Sequence, residues 1–131
     1  MLSSRAEGPD RFLALAESAF AEIPEALRRH CAGIVFRVAD WPDRATLDEM
    51  GIDHPLDLLG LYHGVSIDQQ SVLDSGRLPD MIWLYREPIL AYVQETGEAL
   101  ADVVRNVLVH EIGHHFGFSD DDMHDLEDEA D

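Results

Sequence analysis

The chain has 131 residues, 46% of them hydrophobic, which suits one folded domain spanning 1–131 and calls for no second core. Its 27 acidic against 9 basic side chains give a formal charge of -18, which repels nucleic acid phosphates and anionic lipid and argues against both as partners. A single cysteine, Cys31, precludes an internal disulfide, no apolar run approaches the roughly 18 to 20 residues that span a bilayer, and residues 1–9 lack the order of a secretory signal, so a cytoplasmic location is expected.

Residues 10–30 place Phe12, Leu15, Ala16, Ala19, Phe20 and Ile23 at helical spacing. The pattern predicts an amphipathic helix that Asp10 could cap and Pro24 should end or kink, then a turn or short second helix. Residues 34–39, IVFRVA, predict a strand closed by Asp40, Trp41 and Pro42. Residues 43–57 predict a loop with at most one short helix. Residues 58–67 predict a second strand, or a strand pair broken by Gly60 and Gly64, and 68–80 a connection.

Residues 81–85, MIWLY, predict a third strand that Pro88 prevents from continuing, with a short helix over 89–94. Ile82 and Leu84 alternate with Trp83 and Tyr85, which ordinary packing on two faces explains. A functional reading makes the same four residues a cleft-lining edge strand, to which a peptide substrate adds itself through backbone hydrogen bonds.

Residues 97–115 carry the clearest helical pattern, with Thr96 available as a cap. Leu100, Val103, Val104, Val107 and Leu108 form an apolar stripe that His110, Glu111 and His114 continue. Gly117 suits the left-handed turn that often follows a helix. Eight of the twelve residues 120–131 are acidic, a block that repels itself. Flexible ends are therefore expected at 1–9 and 121–131.

The run His110-Glu111-Ile112-Gly113-His114 places two imidazoles four residues apart, so both rings face one point on the helix surface. With no second cysteine, a metal site here has to be built from imidazole and carboxylate, a donor set that suits zinc. Glu111 neighbours the first histidine and is placed to act as a general base, taking a proton from water at the metal. Asp120 is the first acid after the Gly117 turn and the leading candidate for a third ligand, with Asp121, Asp122 and His124 as rivals. One Zn(2+) per chain is the expected cofactor.

Other residues carry weaker signals. His115 falls off the ligand face and is expected at the surface or behind the ligands, while Tyr62 and His63 pack, touch substrate or bridge to a ligand. Arg86 and Glu87 read as a surface ion pair or two solvated charges, and Cys31 as a small buried residue. The tail lacks the glycine that a calcium-binding loop requires, and no phosphate loop, dinucleotide fingerprint or nucleophile motif occurs.

At residues 110–120 the chain resembles the zincin metallopeptidases, in the branch where HExxHxxGxx is followed by His or Asp. Taken with DLLGLYHG at 57–64, MIWLYREPI at 81–89 and VLVHEIGHHFGFSDDDM at 107–123, it is similar to the minimal zincin-like family of small bacterial proteins. The resemblance implies an α+β fold, with a small twisted mixed sheet packed against the motif helix. It also implies zinc held by His110, His114 and Asp120, catalysis by Glu111, and a turn at Gly117. Larger metzincins add a methionine-containing turn, for which Met123 stands too close to Asp120.

Two functions from different classes follow. One is a zinc metallopeptidase that hydrolyses peptide or amide bonds of a peptide or protein substrate. The other is a non-catalytic metal-binding interaction protein with an acidic surface.

Overall fold

In the computed structural model, residues 8–64 and 79–117 are described. Helix α1 spans Pro9–Ala21. Pro9 occupies the first helical position, where a missing N–H costs nothing, and Gly8 rather than Asp10 stands at the cap. The helix ends at Ala21, and Pro24 caps the short helix α2, Glu25–Arg28, which runs into a 3-10 turn at Arg29–Cys31. The flexible ends expected at 1–9 and 121–131 fall outside the described residues except for Gly8 and Pro9.

Strand β1 is Val35–Ala39, and helix α3 follows at Arg44–Met50. The Asp43 carboxylate accepts the Thr46 N–H at 2.7 Å, and Gly51 at φ 69° closes the helix in the left-handed region. This is the one short helix that the sequence permits there. After a 3-10 turn at Pro55–Asp57 comes β2, Gly60–His63. Gly60 opens this single strand and Gly64 follows its end, while residues 65–67 of the predicted strand lie outside the described residues.

Strand β3 is Met81–Tyr85, and helix α4, Arg86–Thr96, continues from it without a loop. The helix starts earlier than the sequence suggests because Pro88 lies in its first turn, where N–H groups have no intrahelical acceptor. Helix α5 spans Leu100–His115 and is capped at Ala99. The Thr96 hydroxyl donates instead to the Tyr92 carbonyl at 2.9 Å, and Gly97 at φ 76° ends α4.

The sheet order is β1-β3-β2, with β1 parallel and β2 antiparallel to β3. This corrects the edge-strand expectation for Ile82, Trp83, Leu84 and Tyr85. Strand β3 is central, and its ladder hydrogen bonds go to β1 on one side and β2 on the other. An all-apolar strand reads this way when both faces are covered. Ile82 and Leu84 pack beneath α1 and α5 with Phe12, Val104 and Leu108, while Trp83 and Tyr85 pack with Leu47 of α3 and with Leu58. The result is the expected α+β arrangement, a small mixed sheet against the helix that carries the histidines.

Candidate metal site

Helix α5 buries Val103, Val104, Leu108 and Ile112 against the sheet, which turns the face bearing His110, Glu111 and His114 toward β2. The His110 and His114 rings meet edge to face with centroids 5.0 Å apart. One ligand atom from each histidine and one from Glu111 all lie within 4.8 Å of one another. Glu111 is only 8% exposed, whereas both histidines are half-buried and open to a cleft.

That cleft, about 710 Å³ in volume, runs along β2. Ile52, Leu58, Leu59, Tyr92 and Val107 form apolar walls, and the two histidines and Glu111 border it as well. The Leu59 carbonyl accepts the Tyr85 N–H at 2.9 Å. By strand alternation Leu61 and His63 also direct their main-chain groups to β3, leaving those of Gly60 and Tyr62 to face the outer edge. The Tyr62 N–H there donates to Glu111 Oε1 at 2.9 Å. An edge-strand amide thus holds the carboxylate that the sequence nominates as base.

Gly60 makes this close approach of strand and helix possible. A Cβ at that position would stand 2.5 Å from Val107 Cγ1 and 3.0 Å from the Trp83 carbonyl oxygen. Val107 is β-branched and the carbonyl is main chain, so neither gives way cheaply. Gly60→Ala is expected to destabilise the fold by about 1 to 3 kcal/mol, read as a lower urea midpoint at unchanged slope.

Behind the ligand face, His115 and Asp80 are almost wholly buried. His115 Nδ1 lies 3.1 Å from both Asp80 Oδ2 and the Tyr62 hydroxyl, and that hydroxyl donates to Asp80 Oδ2 at 2.9 Å. His115 Nε2 stands 2.8 Å from the His30 carbonyl and, since a carbonyl only accepts, carries a proton. His115 is therefore off the ligand face, as expected, and in the interior. His63 is exposed.

Tyr85, on the far face of β3, has its phenol pushed up to about 12 by burial first and then by the charges of Asp43 and Glu111. It stays neutral at ordinary pH. The Cys31 thiol is buried and likewise pushed up by burial, as suits a packing residue. Of the two readings of Arg86 and Glu87 the ion pair holds, an Arg86 Nη lying 3.1 Å from Glu87 Oε1, and Arg86 Nε also lies 2.9 Å from Asp40 Oδ1.

The structure thus brings His110, Glu111 and His114 together. Gly117 adopts φ 88° and donates its N–H to the His114 carbonyl at 3.0 Å, which is the turn predicted for it. Asp120 and its rivals Asp121, Asp122 and His124 lie outside the described residues. Sequence reasoning gave no role to Asp80 and none to the Tyr62 main chain. An acid directly before an apolar strand was the available hint for Asp80, and every residue has an amide, so Tyr62 carried no mark.

A model of the zincin-like metallopeptidase family matches residues 31–130. A search of curated proteins gives no match.

Proposed function

The chain belongs to the zincin-like metallopeptidase family, and from that premise we propose that it hydrolyses peptide or small amide bonds with one zinc per chain, Glu111 acting as general base. The observation that carries this reading is the convergence of His110, Glu111 and His114 beside a cleft bounded by a strand edge. The donors suit zinc, because two imidazoles with oxygen donors and no thiolate form a borderline set used in hydrolytic centres. His110 and His114 would hold the ion, with Asp120 as the proposed third protein ligand. When bound, the ion supplies Lewis acidity, lowering the pKa of water and polarising a carbonyl.

The chain's own residues perform the remaining work. Glu111 takes a proton from water on its carboxylate and carries it to the leaving amine. The Tyr62 N–H keeps that carboxylate turned toward the strand edge. The outward main-chain groups of Gly60 offer hydrogen bonds to an extended peptide, and the apolar cleft walls take a side chain and exclude water. The edge that serves substrate in this reading is β2, in place of MIWLY.

We place the protein in the cytoplasm, with a peptide or protein as its substrate and neither nucleic acid nor membrane as a partner. The charge of -18 supports the exclusion of nucleic acid and anionic membranes by opposing polyanions. Among the described residues, no helix is long and apolar enough to cross a membrane.

Zinc-loaded protein should cleave members of a broad peptide library, cease on addition of chelator and recover with zinc, with products identified by mass spectrometry. Fully loaded protein that leaves every peptide and small amide intact would sink the hydrolase reading.

A further inference from the structure

Three polar side chains lie together behind the site, Asp80 and His115 buried and Tyr62 half-buried. Tyr62 comes from the edge strand, Asp80 from the residue before the central strand, and His115 from the last turn of the metal helix. Their mutual distances are 2.9 to 3.1 Å, and His115 is tied further to the His30 carbonyl at 2.8 Å. The Asp80 main chain joins the same point to β1, its carbonyl accepting the Val35 N–H at 2.9 Å. Gly64 permits the fit, since a Cβ there would run into the Asp80 carboxylate.

A buried polar cluster is costly to build and is rigid when every member is satisfied. Among the described residues, no buried side-chain nitrogen or oxygen lacks a partner. Packing alone would be served as well by apolar side chains at these positions, and Tyr62 already packs against the cluster that holds Ile82, Leu108 and Ile112. What the cluster adds is direction. Tyr62 is held at two points, by its hydroxyl in this cluster and by its N–H on Glu111 Oε1. Fixing the phenol therefore fixes the strand edge where its amide meets the carboxylate.

We propose that Tyr62, Asp80 and His115 are positioning residues, which act through the Tyr62 main chain to hold the Glu111 carboxylate against the β2 edge in its working orientation. The catalytic consequence rests on the hydrolase reading above, whereas the structural statement does not. Removing the Tyr62 hydroxyl should loosen the amide–carboxylate contact while leaving β2 paired to β3.

The test is amide hydrogen exchange by NMR on the full chain, comparing wild type with Tyr62→Phe, which keeps the ring, and with Asp80→Asn, which keeps the shape. The wild-type Tyr62 amide should exchange slowly even though it faces the open edge. In Tyr62→Phe the residue-62 amide should exchange about ten- to a hundredfold faster, with the Leu61 amide, directed at β3, little changed. A kcat lowered by a similar factor at nearly constant KM should accompany it. Should Tyr62→Phe fail to fold, the same comparison is read on Asp80→Asn.

Equal protection of residue 62 in wild type and variant would overturn the proposal, and so would faster exchange at 61 and 62 in step with a lower Tm, which marks a merely structural cluster. A protected wild-type Tyr62 amide released in the variant, in a protein with no turnover, would support the cluster and overturn only the hydrolase reading.

Discussion

Replacing Glu111 by Gln is expected to leave zinc bound and to lower kcat by about a hundred- to ten-thousandfold, the range by which a general base accelerates proton transfer. Glutamine matches glutamate in shape, and its amide oxygen can still accept the Tyr62 N–H that now reaches Oε1 at 2.9 Å. The cleft and the strand edge should therefore keep their places. What disappears is the ability to take up a proton. Because His110 and His114 are untouched, zinc content by mass spectrometry and Tm should stay near wild type while kcat falls. An unchanged kcat at full zinc occupancy would remove Glu111 from the mechanism and leave the bound metal with a different purpose.

The parts of this site that were legible in the sequence are those governed by local geometry. A four-residue interval on a helix places two rings together whatever the rest of the chain does, so His110 and His114 could be paired before any fold was known. Gly117 belongs to the same class, since its positive φ answers a local need at the helix end. The helix itself was legible from its apolar stripe, and β1 and β3 from their β-branched and aromatic residues.

Strand order was not legible. MIWLY looks the same whether it is an edge covered by substrate or a centre covered by α1, α3 and α5, and only the pairing with both β1 and β2 decides between them. Thr96 illustrates a local signal with two uses. Its hydroxyl could have capped α5, but with Gly97 beside it the same residue closes α4.

The contribution of the strand edge was hidden for a different reason. Gly60 looked like a break in a strand, whereas its missing side chain admits Val107 of helix α5. Tyr62 looked like a packing aromatic, whereas its amide meets the Glu111 carboxylate. Asp80 sat in a predicted connection and proves to be a buried partner of both Tyr62 and His115. Each of these roles depends on contacts distant in sequence, 49 residues in the case of Tyr62 and Glu111.

The second large effect concerns the metal itself. Wild-type protein purified without chelator is expected to carry about one zinc per chain, and a His110→Ala/His114→Ala variant to carry almost none, because loss of two imidazoles leaves too few protein ligands for a stable centre. Both rings are half-buried at the cleft, so truncating them opens space to solvent rather than a void in the core, and the fold should survive. The comparison thus separates loss of metal from loss of structure, provided far-ultraviolet circular dichroism is recorded on the same samples. Zinc retained by the double variant would place the ion elsewhere, and the acidic surface is an obvious competitor for weak binding. Dialysis at raised salt strips such surface ions, whereas an ion gripped by two imidazoles and a carboxylate should stay. Neither protein taking up zinc near neutral pH would leave the His110-Glu111-His114 cluster without a metal. The acidic surface would then be the better guide to function, and the interaction-protein alternative would become the stronger reading.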